Sequence, residues 1–350
     1  MLGDKVWDFG TIDKRINPTI VKIFTDYFEL QPNERVLVVS DYPSREDLQI
    51  RPIYILEQMF KKNLLAKYII KVAKEHFQDN SFEFFAYNAH WIHYPKLEEN
   101  IISKLSSADV LLALCQFSIS HLLLGRNSLA NRHSFRAAIS LIEDESSLLP
   151  NGAVDIDVQQ LETDVMKLYI KCNDASSIRI FSDYGTDIII GKENRRIAYE
   201  SGRVNYAGKV TNIPAGEVNF RSSNVSGTFV CPAGWISTVH STITLKIQNS
   251  AVTHIETENK EDLQKLNYML GGRPPYRSRN IAIGLNKNAT NPFSILEREK
   301  MRGVANLAVR LKKELFSPLE LTLFTGHFPA PKISMEVDGE EVFRNGKFLL

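Results

Sequence analysis

Two kinds of apolar pattern alternate through the first 160 residues. Residues 35–40, 82–87 and 109–115 are short, nearly continuous apolar runs of the kind that form buried strands. The segments of about residues 51–75 and 96–106 instead space their apolar residues as helices do. Because strands and helices that alternate along a chain build a parallel sheet with helices on its faces, the pattern predicts an α/β domain over residues 1–160.

The pattern changes in residues 161–350. A helix over about residues 157–172 is followed by short β-type segments separated by Gly, Pro, Asn and Ser, and a single helix at 260–270 interrupts them. We therefore predict an α+β domain with a mostly antiparallel sheet, with Pro150-Asn-Gly152 as the best candidate for the boundary. The predicted strands are residues 177–182, 187–190, 227–231, 241–247 and 251–256.

The segment from Asn280 to Pro329 combines regular structure with polar side chains. Residues 280–284 are predicted to form a buried strand, residues 295–316 a long helix, and residues 319–325 a second strand. Ser294 and Glu297 have the spacing of a capping box at the start of that helix. Such a unit would form the wall of a site. Its polar residues are Asn280, Glu299, Asn306 and His327.

Composition narrows the class of protein. The 350 residues carry a net charge of +1 and contain no block of basic residues, which argues against nucleic acid as the main partner. No apolar run approaches the roughly 20 residues of a membrane span, and the N-terminal residues lack the apolar stretch of a signal peptide. The three cysteines are scattered. We expect a soluble, cytoplasmic protein that uses neither a membrane nor a disulfide framework.

Two weaker signals lie in the first domain. Asp41 and Tyr42 follow the first predicted strand, at the edge of an open α/β sheet where ligands bind, although a loop carboxylate facing water is the favoured interpretation of Asp41. His90 and His93 are three residues apart, so a helix would place both on one face. No neighbouring carboxylate or cysteine completes a metal site there, and a structural role is the alternative.

Five motifs in the second half resemble those of a known family. They are Gly185-Thr-Asp187, Asn212-Ile-Pro-Ala-Gly-Glu-Val218, Asn280-Ile-Ala-Ile-Gly-Leu-Asn-Lys-Asn288, Glu299-Lys300 with Gly303, and the run from Asp338 to Phe348. In this order they resemble the aminopeptidase T/S family of thermophilic metallopeptidases. Its superfamily also contains iron-dependent 2,5-dihydroxypyridine ring-cleaving dioxygenases. The resemblance covers roughly residues 17–350 and implies a homodimer.

The resemblance also implies a set of metal ligands, which this chain only partly retains. Glu217 matches the first glutamate of the family's two-metal site, and His327 matches the closing histidine. Asn280, Asn306 and Pro329 stand where the family has a second glutamate, a histidine on the following helix and an aspartate. Two divalent ions need several anionic ligands. We therefore expect Glu217, Asn280, Asn306 and His327 to surround one polar pocket as the catalytic residues, with at most one weakly held ion.

Two further sets of residues extend this hypothesis. Glu217, His240 and His327 would together supply two imidazoles and a carboxylate for a single zinc, manganese or iron ion, unless His240 is an ordinary strand histidine and no metal binds. Arg273, Tyr276 and Arg279 lie just before the strand at 280–284. Their side chains are predicted to bind an anionic ligand such as a carboxylate, with solvated loop charges as the alternative.

Three functional hypotheses follow. The first is a divergent aminopeptidase-like hydrolase that acts on a small peptide or amino-acid-like metabolite without the two-metal centre. The second is a mononuclear non-haem iron oxygenase of the dihydroxypyridine dioxygenase type, or a metal-free catalyst acting on a small aromatic or amino-acid-like compound. The third is a catalytically silent protein that binds a peptide or metabolite.

Overall fold

The chain forms two compact units in a computed structural model that describes residues 9–140, 142, 145–310 and 326–350. One unit comprises Met1–Gln159 together with Gly202–Ala215, and the other comprises Gln160–Ser201 together with Gly216–Leu350. The prediction of a single boundary near residue 160 did not include the return of residues 202–215 to the first unit. Among the described residues, no helix has the length and apolar character needed to cross a membrane.

The helices are concentrated in the first unit, where α3 is by far the longest. They are α1 Asn17–Lys22, which continues as a π-helix through Ile23–Tyr27, α2 Asp47–Ile50, α3 Ile53–His76, α4 Glu99–Leu105, α5 Ser120–Leu123, α6 Leu129–Arg132, α7 Val158–Asn173, α8 Lys260–Met269 and α9 Ile295–Lys300. Short 3-10 helices cover Lys14–Ile16 and Glu145–Leu148.

The first unit is built on a five-stranded parallel sheet in the order β2-β1-β3-β4-β8. Its strands are β1 Arg35–Tyr42, β2 Ser81–Asn88, β3 Val110–Ala113, β4 Arg136–Ser140 and β8 Val210–Ile213. The apolar runs at 35–40 and 109–115 are neighbours, with Val36 opposite Val110. This confirms the predicted parallel sheet, in which strand β1 is buried along nearly its whole length because helices cover it.

The second unit contains an antiparallel sheet, as predicted. Strands β10, β11 and β12 follow one another as hairpins, and β13 pairs with β12 through Val252 opposite Tyr276. The strands are β5 Ser177–Phe181, β6 Asp187–Gly191, β7 Arg196–Glu200, β9 Glu217–Arg221, β10 Val225–Cys231, β11 Ile243–Gln248, β12 Ala251–Glu256, β13 Tyr276–Gly284, β14 Ala305–Val309, β15 His327–Ala330, β16 Ser334–Val337, β17 Glu340–Arg344 and β18 Lys347–Phe348.

The predicted long helix at 295–316 is wrong. Helix α9 ends at Lys300, and Gly303 follows with φ +75°. A side chain at Gly303 would meet the backbone of Gly346 at 2.4 Å, so the close approach also requires glycine. Strand β14 begins two residues later, and Asn306 therefore lies on a strand and not on a helix. The rest of that helix and the predicted strand at 319–325 fall in residues 311–325, outside the described residues.

Candidate functional site

Five antiparallel strands of the second unit place polar side chains on one face. They lie side by side in the order β7-β9-β13-β14-β15, and residues that are paired across strands share a face, as do residues two apart along a strand. The pairs are Glu200 with Glu217, Glu217 with Gly284, Asn219 with Ala282, Ala282 with Asn306, Asn280 with Ala308, and Ala308 with His327. This polar face therefore carries Glu200, Glu217, Asn219, Asn280, Asn306 and His327.

The other face of these strands is apolar, which explains why the polar residues have a fixed orientation. On β9, β14, β15 and the second half of β13, every second residue belongs to the buried core, so a shift of register by one residue would place the charged side chains in that core. The core residues on this face are Val218, Phe220, Ile281, Ile283, Leu307 and Phe328.

Helix α9 brings two more charged groups, Glu299 and Lys300, to the polar face. Its N-cap is Ser294, whose side chain accepts a hydrogen bond from the Glu297 N–H at 3.4 Å. The predicted capping box is only half formed, because Glu297 Oε1 accepts from the backbone N–H groups of Thr290 and Asn291 at 2.7 and 2.9 Å. Glu297 thereby holds the loop before the helix and contributes to the position of its last turn.

The Lys300 ammonium group lies between two carboxylates. Its Nζ is 2.8 Å from Glu200 Oε2 and 2.8 Å from Glu217 Oε2, and the lysine side chain is only 1% exposed. Burial disfavours the charged amine, but the nearby Glu200, Glu217 and Glu299 carboxylates outweigh burial and raise the pKa of Lys300. Burial also raises the pKa of Glu217 to about 7, although Lys300 opposes that shift. The ammonium therefore stays charged while Glu217 holds or releases a proton near neutral pH.

Glu299 forms an ion pair with His327, through Oε1 and Nδ1. Burial alone would raise the pKa of Glu299, but the charges of His327, Lys300 and Arg298 bring this pKa below its ordinary value. Arg298 is itself buried and donates to the backbone oxygens of Trp235 at 2.8 Å and His327 at 3.4 Å. The Glu299 carboxylate beside Nδ1 orients the imidazole, so that Nε2 is the ring nitrogen that Glu299 does not engage.

Asn306 lies between these two ion pairs on the polar face. Its Nδ2 donates to the Arg298 backbone oxygen at 3.4 Å. Its Oδ1 is buried and has no hydrogen-bond partner among the described residues. A buried amide oxygen without a donor is energetically unfavourable, and a ligand that carries an N–H or O–H group would relieve it.

The four predicted catalytic residues share the polar face, but Glu217 and His327 are not on neighbouring strands. Strands β13 and β14 lie between theirs, so three steps of about 4.8 Å separate the two backbones by roughly 14 Å across the sheet. Lys300 and Glu299, adjacent on α9, bridge this separation because one contacts Glu217 and the other contacts His327.

Other predicted residues lie in different environments. His240 is exposed, and its backbone N–H donates to Asp262 at 3.0 Å. Arg273 and Arg279 are exposed, whereas Tyr276 is buried and its hydroxyl donates to the Gly272 backbone oxygen. The binding role predicted for these three residues before Asn280 stays a prediction.

The signals in the first unit have structural explanations. The Asp41 carboxylate is buried and accepts the backbone N–H groups of Gln116 and Phe117 at 2.7 and 2.9 Å, so it does not face water. His90 and His93 lie in a loop, not on a helix, and His93 Nδ1 accepts from the Ser118 N–H at 3.1 Å. Asp41 and His93 thus stabilise the loop after β3 by hydrogen bonds to its backbone.

The donor set of the polar face does not fit a metal centre. Within the described ranges, no group of three His, Cys, Asp or Glu side chains is arranged to hold a metal ion, and Glu217, His240 and His327 form no such group. The carboxylates of Glu200 and Glu217 instead face an ammonium, and Glu299 faces an imidazole. The paired residues of β14 and β15 are Asn306 and Pro329. Asn306 offers only a neutral amide to a metal ion, and Pro329 has no side-chain ligand atom.

The sequence pointed to some of the residues that complete this arrangement. Glu299 and Lys300 belong to one of the family motifs, but only Glu299 is also predicted as a polar residue of the site wall. Glu200 and Asn219 carried no local signal. Their place follows from the pairing of β7 with β9, and Asn219 Nδ2 donates to Glu217 Oε1 at 3.1 Å.

Comparisons with known proteins agree on one superfamily. A family model described as NicX, 2,5-dihydroxypyridine 5,6-dioxygenase, matches residues 20–349. The structure of 2,5-dihydroxypyridine dioxygenase from Pseudomonas putida KT2440 is similar with a TM-score of 0.66 and 14% identity, over 95% of this chain and 97% of that chain. Wild-type AmpT from Thermus thermophilus is similar with a TM-score of 0.52 and 13% identity, over 96% and 99%. No protein with a curated description matches the sequence.

Proposed function

The chain belongs to the NicX family of 2,5-dihydroxypyridine 5,6-dioxygenases, and on that premise we propose that it acts on a small hydroxylated N-heteroaromatic compound by acid–base chemistry at the Glu299–His327 pair. The family match over residues 20–349 confirms the superfamily that the sequence motifs indicated. It favours a heteroaromatic ligand over the peptide or amino-acid-like ligand expected first.

The observation that carries the proposal is the ion pair between Glu299 and His327. Glu299 is a positioning residue, because its carboxylate contacts Nδ1 and leaves Nε2 as the ring nitrogen that would face the ligand. The His327 side chain is 20% exposed and is therefore reachable, whereas that of Glu299 is 12% exposed. In the proposed step, Nε2 removes the proton of a ring hydroxyl, and the resulting imidazolium is stabilised by Glu299.

Asn306 supports a ligand of this chemical class. Its buried Oδ1 would accept the N–H of a pyridone tautomer or a second ring hydroxyl. Deprotonation makes such a ring electron-rich, which prepares it for reaction with dioxygen. A dioxygenase reaction places both oxygen atoms in the product, so its balance needs no external reductant. No step of this proposal passes through a metal ion.

The experiment follows the ultraviolet absorbance of 2,5-dihydroxypyridine and the consumption of dioxygen by the chelator-treated protein. We expect oxygen-dependent loss of the substrate. His327→Ala should lower the rate by about 10²- to 10⁴-fold, the usual contribution of a general base. Glu299→Gln should lower it less and should also displace the pH–rate profile, since this residue acts through His327. His254→Ala, which removes an exposed histidine of β12, should leave the rate unchanged.

The other functional hypotheses are outcomes of the same assay. Hydrolysis of amino-acid p-nitroanilides without loss of 2,5-dihydroxypyridine would establish the aminopeptidase-like hydrolase instead. Binding of 2,5-dihydroxypyridine without turnover would establish a silent binding protein. Turnover that is unchanged in His327→Ala would reject the proposed base whatever the substrate.

A further inference from the structure

Two glutamates, Glu200 and Glu217, surround a cation that the protein itself supplies, the ammonium group of Lys300. Two carboxylates on neighbouring strands contact one ammonium group at the same distance, 2.8 Å. The side chains of Glu217 and Lys300 are 6% and 1% exposed, and that of Glu200 is 24% exposed. Such closely placed carboxylates repel each other unless a proton or a cation lies between them.

Backbone geometry forces the lysine into this place. Glu200 and Glu217 are paired across β7 and β9, and Glu217 is paired with Gly284 of β13. A Cβ built on Gly284 would lie 2.1 Å from the Met301 backbone oxygen and 2.6 Å from the carbonyl carbon of Lys300. The end of α9 therefore rests directly on the strand beside Glu217, and this contact delivers the Lys300 side chain to both carboxylates.

We propose that Lys300 takes the place of a divalent cation between Glu200 and Glu217, so that its fixed single positive charge excludes metal from this position. Removal of the amine without replacement of its volume should convert the pair of glutamates into a binding site for a hard divalent cation such as Mn²⁺. This inference depends on charge and space, and it holds for a catalyst or for a silent binding protein.

The test compares Lys300→Ala with Lys300→Met and the wild type. Each chelator-treated protein is titrated with Mn²⁺ alone, and binding is measured by calorimetry and by the Mn²⁺ electron paramagnetic resonance signal. Lys300→Ala should bind one ion per chain at least about tenfold more tightly than the wild type, because two carboxylates favour a hard dication. Lys300→Met fills the space with an uncharged chain and should not gain this affinity. Addition of Glu217→Gln to Lys300→Ala should abolish the gain.

Two results would overturn the proposal. One is a folded Lys300→Ala protein whose Mn²⁺ affinity equals that of the wild type. The other result needs no lysine variant. Wild-type protein is purified from cells supplied with manganese, iron and zinc. If it retains a stoichiometric ion, and Glu217→Gln does not, a metal ion occupies the position that we assign to the ammonium. A wild type without a stoichiometric ion supports the proposal. All of these readouts are metal content and metal affinity. A failure of the Lys300 proposal can therefore be distinguished from a failure of the proposed function, which is tested by the activity of His327 variants.

Discussion

Single residues on the polar face differ in how burial and charge combine. Glu217 and Glu299 are both buried carboxylates near Lys300, yet the pKa of Glu217 is raised to about 7 by burial, while the charge of His327 helps to bring that of Glu299 below its ordinary value. A carboxyl group with a raised pKa near one with a lowered pKa is a pattern found at acid–base sites. The two carboxyl groups, one on β9 and one on α9, therefore differ in how readily each holds a proton.

The raised pKa of Glu217 predicts how stability depends on pH. Between its ordinary value of 4.5 and about 7, the folded protein keeps a proton that the unfolded chain has released. The free energy of unfolding should therefore fall as pH rises through this window, by at most about 1.4 kcal/mol per pH unit. In Glu217→Gln this part of the slope should vanish. Urea unfolding between about pH 5 and about pH 7 measures it.

Glu258→Gln provides the control for this measurement, because Glu258 is exposed in the loop before α8. Its slope should match that of the wild type. A Glu217→Gln protein with an unchanged slope would show that Glu217 is already ionised throughout the window.

At the scale of elements, the contact between α9 and β13 determines where the charges lie. Helix α9 has only six residues, so packing rather than intrinsic helix stability must hold it in place. Gly284 permits its last turn to touch the strand, and Ser294 and Glu297 secure its beginning. Because Glu299 and Lys300 are adjacent at the helix end, movement of this one element would disturb both ion pairs.

Gly284→Ala tests this contact. The new methyl group would overlap backbone atoms of Met301 and Lys300, which cannot rotate away. We expect a loss of about 1–3 kcal/mol of unfolding free energy, as for other overpacked sites, measured by chemical denaturation. Gly191→Ala on β6 is the matched control, since its methyl group would meet the Asn224 side chain, which can move. Equal losses in the two variants would contradict a special role for Gly284.

At the scale of the whole molecule, we propose a homodimer. Large apolar side chains are exposed in the first unit around α2 and the start of α3, with Ile50 and Ile53 each 71% exposed and Phe60 51% exposed. Ile53 and Phe60 are seven residues apart on α3 and therefore share a helix face, and exposed apolar patches mark association surfaces.

Light scattering after size exclusion should give twice the 39.8 kDa of one chain at micromolar concentration. Ile50→Ser combined with Ile53→Ser should move the mass toward that of one chain, because both apolar side chains would be removed from the interface. Ile170→Ser, which changes a 64% exposed isoleucine of α7, should leave the mass unchanged. A monomeric wild type would reject the dimer, and an unaffected double variant would reject this surface.

The sequence by itself determined many of the helices and strands, because their signals are local. Apolar runs identified β1 and β3, and their alternation with helices predicted the parallel sheet in which these strands pair. The motifs led to the correct superfamily and to Glu217, Asn280, Asn306 and His327, all of which lie on the polar face. The prediction of a long helix was wrong because residues 305–309 form a strand that is buried on both sides. The apolar residues of such a strand fit a helical spacing equally well.

Only the tertiary structure decided what faces these residues. Lys300 and Glu200 are 100 residues apart in the chain, and nothing in the neighbourhood of either predicts their ion pair. The pair depends on the register of β7 with β9 and of β9 with β13, and on the approach of α9 that Gly284 allows. Local sequence determines whether a segment is a strand or a helix. Register and packing, which involve distant parts of the chain at once, determined that an ammonium group meets the two carboxylates.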